Sequence, residues 1–370
     1  MKARPVVLVL GPSREAISGV STHVNALLDS GLAADFALEH FPVGSEGRQE
    51  GRLGRWWRLA AGPFSLGAAI LRRGAVLVHI NTSLNARAFW RDAAHLLVAK
   101  LCGARVLLQT HGGALREFAG RGLLAPAAHL VLRLADLVVV LSSVERSTLR
   151  ELIPAQAVAL VPNGVDCQAY RRQPRAPADP QAPLRLIYVG RLASGKGLAE
   201  TIEALRLARA AGCAARLVIT GSGPEEPHLR RQVRDAGLTH EVSFTGPAWG
   251  EHKARLLSLS DVMVLASYSE GMPYGLLEAM AAGVVPVATP VGAIPDMIRD
   301  AVHGALVAPR DAQAIARAVA GLAADRDALA RMSAACSQRA ATAYSIERLA
   351  GDFSALYRTM IGSWAASRAG

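Results

Sequence analysis

Short apolar runs of strand length recur along this chain with helical patterns between them, and they fall into two series split by a proline-rich break. The first series is Val6–Leu10, Phe36–Phe41, Val76–Ile80, Val106–Gln109, Leu137–Leu141 and Val158–Val161, with helical candidates at Val20–Leu28, Arg87–Leu101 and Ser143–Leu152. The second is Leu184–Val189, Leu217–Thr220, Val242–Phe244, Val262–Leu265, Val285–Ala288 and Leu306–Val307, and from Asp311 onward the pattern is helical almost to the end. Such alternation predicts parallel sheets covered by helices. Arg171 to Pro183 (RRQPRAPADPQAP) has no apolar face and reads as a linker. The expected class is therefore α/β, with two Rossmann-like doubly wound domains facing a central cleft at their C-terminal strand ends. The expected boundaries are 1–170, a linker over 171–183, a second domain over 184–345, and a helical tail over 346–370 that packs back on the first domain.

A chain of 370 residues is long enough for two cores of ordinary size, and a hydrophobic share of 51% excludes a disordered chain. Cys102, Cys167, Cys213 and Cys336 lie far apart with no C-x-x-C pair, which argues against a zinc site or a disulfide framework and fits a reducing compartment. Val6 to Leu10 is too short for a signal-peptide core. The longest apolar stretch, Leu123 to Leu141, is broken by His129, Arg133 and Asp136, so no transmembrane helix is expected. The expected location is cytoplasmic, peripherally associated with the inner face of the cell membrane.

The formal charge of +11 is uneven: residues 1–180 hold 21 Lys+Arg against 13 Asp+Glu, and the remainder 20 against 17. A basic surface suits phosphates, anionic lipid or nucleic acid. Nucleic acid is set aside, because the chain has no zinc-finger spacing, RNP motif or basic helix with heptads. Arg outnumbers Lys by 37 to 4, so a single Arg says little and each Lys says more.

Two stretches carry the chemistry. Leu184 to Gly197 (LRLIYVGRLASGKG) passes from a buried strand through a Gly-rich turn into a helix, where free N–H groups and the helix dipole face an anion. Gly190, Arg191 and Lys196 thus read as a diphosphate turn with two mobile cations on an exposed loop; a plain βα turn with surface cations is the other reading. The text nearly spells a P-loop, but Gly197 stands where the metal-binding hydroxyl belongs. Any phosphate here would be held by fixed charge without a metal. Ser269 to Gly283 (SEGMPYGLLEAMAAG) places Glu270 in a strand-end loop and Glu278 in the next helix. At about 1.5 Å rise per residue the two carboxylates stand roughly 10 Å apart, which suits two sugars of one extended ligand better than a shared proton or metal. The N–H groups after Gly271 can meet a second phosphate edge. An acidic loop and a solvated helix Glu is the alternative.

Taken in order, these motifs resemble the family 4 glycosyltransferases of the GT-B fold, and the resemblance also takes in Pro162 to Asp166 (PNGVD) and Phe244-Thr245-Gly246. It implies that Arg191 and Lys196 bind a donor diphosphate, that Glu270 faces the donor-sugar hydroxyls, and that Glu278 binds the ribose. It further implies that Pro247 and Ala248 lie near the base, and that Gly271, Met272 and Pro273 line the donor. Ser18-Gly19-Val20 matches a Gly-Gly loop near the phosphates, with only Gly19 of the pair present. His111, in Thr110-His111-Gly112-Gly113, lies in the family beside the transferred sugar. The domain over 1–170 would then take the acceptor and that over 184–345 the nucleotide-sugar.

The function so implied is transfer of a hexose or N-acetylhexosamine from a UDP- or GDP-sugar to an acceptor hydroxyl with retention, in cell-surface polysaccharide or glycolipid assembly. No cofactor or metal is expected: the Asp-x-Asp at Asp325 and Asp327 sits in the helical tail. A hydrolase is set aside for want of a G-x-S-x-G elbow. A sugar-nucleotide epimerase of the same shape, or a non-catalytic binding protein, are the rivals. Two stretches remain. Arg52 to Arg73 mixes Arg with Trp56, Trp57 and apolar runs, and reads either as a core helix with snorkelling Arg or as an element docking on an anionic membrane, where the acceptor would be a lipid-linked sugar or glycolipid. Asn81 to Asn85 (NTSLN) reads as a loop or an acceptor-facing edge.

Overall fold

The apolar runs do become strands. The computed structural model describes residues 4–45, 51–112, 115–120, 124–171 and 182–369, and it divides into two units, Met1–Gly164 with Ile346–Gly370 and Val165–Ser345. Most of the expected linker, 172–181, lies outside the described residues, as does Gly113.

The first unit holds β1 (Val6–Gly11), α1 (Gly19–Leu28), β2 (Ala37–Pro42), α2 (Arg52–Arg73), β3 (Leu77–Thr82), α3 (Ala86–Leu101), β4 (Arg105–Thr110), α4 (Leu115–Gly120), α5 (Ala125–Leu134), β5 (Leu137–Val140), α6 (Ser143–Leu152) and β6 (Val158–Leu160). Its six strands are all parallel in the order β2-β1-β3-β4-β5-β6. Because side chains alternate across a strand, Leu8 and Leu10 join a core with Leu66, Phe89 and Leu132, while Val7 and Val9 face the other way.

The second unit holds β7 (Leu184–Val189), α7 (Leu198–Ala210), β8 (Ala215–Thr220), α8 (Glu226–Asp235), β9 (Val242–Gly246), α9 (Gly250–Ser258), β10 (Val262–Leu265), α10 (Tyr274–Ala281), β11 (Val285–Ala288), α11 (Ile294–Met297), β12 (Ala305–Leu306), α12 (Ala312–Ala324) and α13 (Arg326–Ala343). Its parallel order is β12-β11-β10-β7-β8-β9. Asp325 of the Asp-x-Asp pair is the N-cap of α13, its Oδ1 accepting from Ala328 N at 2.7 Å. That explains the residue by helix capping.

A last helix, α14 (Ile346–Ala369), belongs to the first unit. Phe353 and Tyr357 are fully buried there with Val7, Val9, Leu77 and Leu107, so α14 covers the sheet face that α1 shares. Burying each such side chain contributes about 1.5–3 kcal/mol. The boundary near residue 170 shifts from the expected one. Val165 to Tyr170 fall in the second unit, because Val165 bridges Ser345 and the Tyr170 hydroxyl reaches Glu278.

Both strand orders reverse direction once, between β1 and β3 in the first unit and between β7 and β10 in the second. Loops leaving the C-terminal ends of such a strand pair diverge and open a crevice for ligand. Arg191, Lys196 and Glu270 sit on such loops, after β7 and β10, whereas Pro247 and Ala248 follow β9, Glu278 lies in α10 and His111 follows β4.

Candidate functional site

In the second unit the loops after β7 and β10 are locked together by backbone crowding. Gly197 has φ +67, and a Cβ on it would stand 2.0 Å from the Ala266 carbonyl oxygen. A Ser or Thr is closed out on both counts, so the near-P-loop cannot carry its hydroxyl here. Tyr268 N donates to Gly195 O at 2.8 Å, a second tie between the loops. On the other side, a Cβ on Gly221 would lie 1.8 Å from Gly190 O.

This framework brings Lys196 and Glu270 together. Lys196 Nζ stands 2.7 Å from Glu270 Oε1, which also accepts from Ser267 Oγ at 2.7 Å. Ser267 is in turn held by Thr289, whose hydroxyl donates to Ser267 O at 2.5 Å. The expectation of two mobile cations on an exposed turn needs correcting. Arg191 is exposed, but the Lys196 side chain is only 22% exposed and is held by a carboxylate. The Tyr188 hydroxyl donates to Arg191 O at 2.9 Å, and burial followed by the Glu270 charge pushes that phenol above its ordinary value.

The loop bearing Glu270, Gly271, Met272 and Pro273 is backed by the turn after β11. Ala293 N donates to Gly271 O at 2.8 Å, and a Cβ on Gly292 would lie 2.0 Å from Glu270 O. Met272 is buried, and Pro273 is the N-cap of α10, so the free amides face out from Tyr274 onward rather than directly after Gly271.

Glu278 lies in α10, buried, and far from being a solvated helix Glu. Its Oε1 accepts from Lys253 Nζ at 2.6 Å and from the Tyr170 hydroxyl at 2.9 Å. Lys253 belongs to α9, the helix entered directly from the loop of exposed Pro247 and buried Ala248. Burial and the Glu278 charge raise the Tyr170 phenol, and the same two causes raise Tyr274. Glu270 and Glu278 therefore share one arrangement: Oε1 is engaged by a lysine and a hydroxyl, and Oε2 has no hydrogen-bond partner among the described residues. Lys253, Tyr170 and Ser267 were missed in the sequence. Only the scarcity of lysine pointed toward Lys253.

In the first unit Ser18 is the N-cap of α1, with Oγ accepting from Ser21 N at 3.2 Å, and Gly19 is the exposed first residue of that helix. Serine thus stands in the Gly-Gly position as a cap. His111 follows β4, its N–H donating to Thr82 O at 2.8 Å and its Nε2 standing 2.9 Å from Asn81 Oδ1. Its ring meets His23 edge-on at 4.7 Å. Burial, then the neighbouring His23 and His79, hold His111 well below the ordinary histidine value. His79 lies 2.7 Å from the Tyr357 hydroxyl and 3.0 Å from Gln109 Oε1, so the histidines form one buried polar cluster with α14. In the Asn81 to Asn85 stretch Asn81 and Thr82 are buried, and the exposed Asn85 caps α3 through Ala88 N at 3.0 Å.

Helix α2 answers the other open question. Leu66 and Ile70 are buried in the core while Trp57, Phe64 and Leu71 are 77%, 76% and 71% exposed. Residues seven apart share one helical stripe, and Leu66 stands about 180° from Trp57. The helix packs one face and bares an apolar stripe on the other. The side chains of Arg55 and Trp56 lie outside the described residues. No helix among the described residues is long and apolar enough to cross a membrane.

Two family models match the chain in tandem: the glycosyl transferase 4-like domain over residues 7–164 and the glycosyl transferases group 1 over residues 170–339. The chain belongs to the family 4 glycosyltransferases. It is 34% identical over 256 residues to a GDP-mannose-dependent alpha-(1-6)-phosphatidylinositol monomannoside mannosyltransferase of Mycobacterium tuberculosis, covering 64% of this chain and 65% of that one. It is 33% identical over 202 residues to the putative colanic acid biosynthesis glycosyltransferase WcaL of Salmonella typhimurium, covering 53% and 49%. The chain thus spans less than two thirds of the length of these curated relatives. Among solved structures, sucrose-phosphate synthase from Thermosynechococcus elongatus superposes with a TM-score of 0.78 at 21% identity, covering 97% of this chain and 100% of that one. HepE of Anabaena in complex with UDP gives 0.73 at 16%, covering 96% and 100%. At such identities the likeness establishes the fold, which is GT-B.

Proposed function

We propose that this glycosyltransferase moves a hexose or N-acetylhexosamine from a UDP- or GDP-sugar to an acceptor hydroxyl, with retention and without a metal. The observation that carries the reading is the pair of carboxylates, each held at Oε1 by a lysine and each with Oε2 open. A carboxylate fixed in this way is a ready acceptor for vicinal hydroxyls. Glu278 would take the ribose and Glu270 the donor sugar, with Lys196 and Arg191 on the diphosphate between them and the base against Pro247 and Ala248. Gly190, Gly271, Met272 and Pro273 would shape the donor pocket.

In the reaction the bond from C1 to the diphosphate oxygen breaks and a bond from C1 to the acceptor oxygen forms on the same face. The acceptor proton passes to the departing phosphate oxygen. Negative charge grows on the diphosphate, where Lys196, Arg191 and the first-turn amides of α7 would stabilise it electrostatically. Lys196 neutralises Glu270 before donor binds and can turn to the phosphate once sugar hydroxyls take its place. Gly197, closed to a hydroxyl side chain, supports charge stabilisation by residues instead of by Mg²⁺. The family resemblance assigns His111 to the transferred sugar and Gly19 to the phosphates.

The acceptor in this reading is a lipid-linked sugar or glycolipid on the cytoplasmic face of an anionic membrane. The bare stripe of Trp57, Phe64 and Leu71 supports it, flanked on α2 by Arg72 and Arg73. The mycobacterial relative is named for a phosphatidylinositol mannoside acceptor and for GDP-mannose, and HepE was solved with UDP. Screening UDP- and GDP-sugars by thermal shift tests the function. A cognate nucleotide-sugar at about 100 times its Kd raises stability by about 2.7 kcal/mol. A chain that no UDP- or GDP-sugar stabilises refutes the reading.

A further inference from the structure

Asn81 sits at the end of β3, buried, where the first sheet reverses its strand order, and it is held from both sides. Its Nδ2 lies 3.0 Å from the Leu10 carbonyl oxygen on β1, and its Oδ1 lies 2.9 Å from His111 Nε2. A backbone carbonyl can only accept, so the amide nitrogen must face Leu10 and the amide oxygen must face the histidine. An amide oxygen can also only accept, so the proton of a neutral His111 belongs on Nε2. That leaves Nδ1 as a lone-pair acceptor, and Nδ1 has no hydrogen-bond partner among the described residues. The His111 backbone is pinned separately by Thr82 O.

We propose that Asn81 is a positioning residue, which fixes His111 as its Nε2–H tautomer so that Nδ1 accepts a hydroxyl of the bound sugar. The proposal rests on the reading of His111 as a sugar-side residue. The titratable groups that bear on the ring are His23 on α1, 4.7 Å away edge-on, and His79 on β3, and both favour the neutral imidazole. Neutrality is required, since an imidazolium carries a proton on each nitrogen and cannot accept. Neither His23 nor His79 sets the tautomer; Asn81 does, through Leu10.

The tautomer is read directly by ¹⁵N NMR of the imidazole in the full-length protein, alongside transfer kinetics of Asn81→Leu, Asn81→Asp and His111→Ala. The wild type should show the Nε2–H form. Asn81→Leu should mix the tautomers and lower kcat by about 10-fold or more, with nucleotide affinity unchanged. Asn81→Asp keeps an acceptor for Nε2–H but loses the donor to Leu10 O, so it should hold the Nε2–H form and retain more turnover than Asn81→Leu. Because a carboxylate beside the ring raises its pKa, the acid limb of its pH profile should move to higher pH than in wild type. A merely structural role would leave the tautomer of Asn81→Leu as in the wild type. An Nδ1–H form in the wild type overturns the proposal, as does an Asn81→Leu variant within about twofold of wild-type kcat when His111→Ala is impaired. If His111→Ala itself transfers normally, the functional role of His111 fails, while the tautomer still decides whether Asn81 sets it.

Discussion

Lys253 Nζ lies 2.6 Å from Glu278 Oε1, with the two side chains 17% and 4% exposed, so the carboxylate assigned to the ribose is held by a cation from a different helix. Removing Lys253 leaves a buried charge without its partner, which is the costly way to break such a pair. Glu278→Ala should weaken UDP or GDP binding by about 1.5–3 kcal/mol, and Lys253→Met should weaken it by a comparable amount although Lys253 need touch no ligand. Glu270→Ala should leave nucleotide affinity near normal and lower transfer. Calorimetry with UDP and GDP on the three variants checks this. Equal losses for Glu270→Ala and Glu278→Ala would overturn the split of roles.

Much of this was legible in the sequence because it depends on local backbone. The strand runs, the Gly190 to Gly197 turn and the strand–loop–helix around Glu270 and Glu278 each lie within a short window, where periodicity and glycine placement speak directly. The residues that hold those groups were not legible. Lys196 meets Glu270 from 74 positions away, Tyr170 meets Glu278 from 108, and His79 meets Tyr357 from 278. Such pairs are set by strand order, which no local pattern encodes. Exposure was misjudged for Lys196 for the same reason, since a βα turn looks open until the neighbouring loop is folded onto it.

The buried histidines predict acid sensitivity of the first unit. Burial lowers His23 to about 4 and His79 to about 3. Each is neutral when folded and free to protonate when unfolded near the ordinary value of about 6.5. Their contribution is complete above that value and is lost as pH falls from there toward the folded values. The slope reaches about 1.4 kcal/mol per pH unit for each histidine. Denaturation of the first unit, followed from about pH 7.5 to about pH 5, should show stability falling only below about pH 6.5. A flat profile over that range would contradict it.

Membrane docking is tested on the bare stripe of α2. Liposome co-sedimentation should require anionic lipid and weaken with salt, each arginine near the surface contributing about 1 kcal/mol. Trp57→Ser with Phe64→Ser should reduce binding without unfolding the unit, because both side chains are already in solvent. Arg72→Gln is the informative charge variant, as Arg58 also donates to Ser45 and Arg73 pairs with Glu39. A wild-type protein that ignores anionic liposomes at low salt removes the main support for a lipid acceptor.

In the proposed reaction Lys196, with no metal, stabilises the departing diphosphate. Its ion pair with Glu270 means that Lys196→Ala loses stability as well as charge, so stability and turnover must be separated. Pairing Lys196→Met with Glu270→Gln removes both charges at similar volume and should restore much of the stability while transfer stays impaired. The decisive measurement is turnover at saturating donor in excess EDTA, for the wild type and for Lys196→Met. The wild type should remain active, and Lys196→Met, folded by circular dichroism, should lose about 10²-fold or more in kcat. A wild type silenced by EDTA and revived by Mg²⁺ or Mn²⁺, or a Lys196→Met variant with near-normal turnover, would rule out metal-free stabilisation by Lys196.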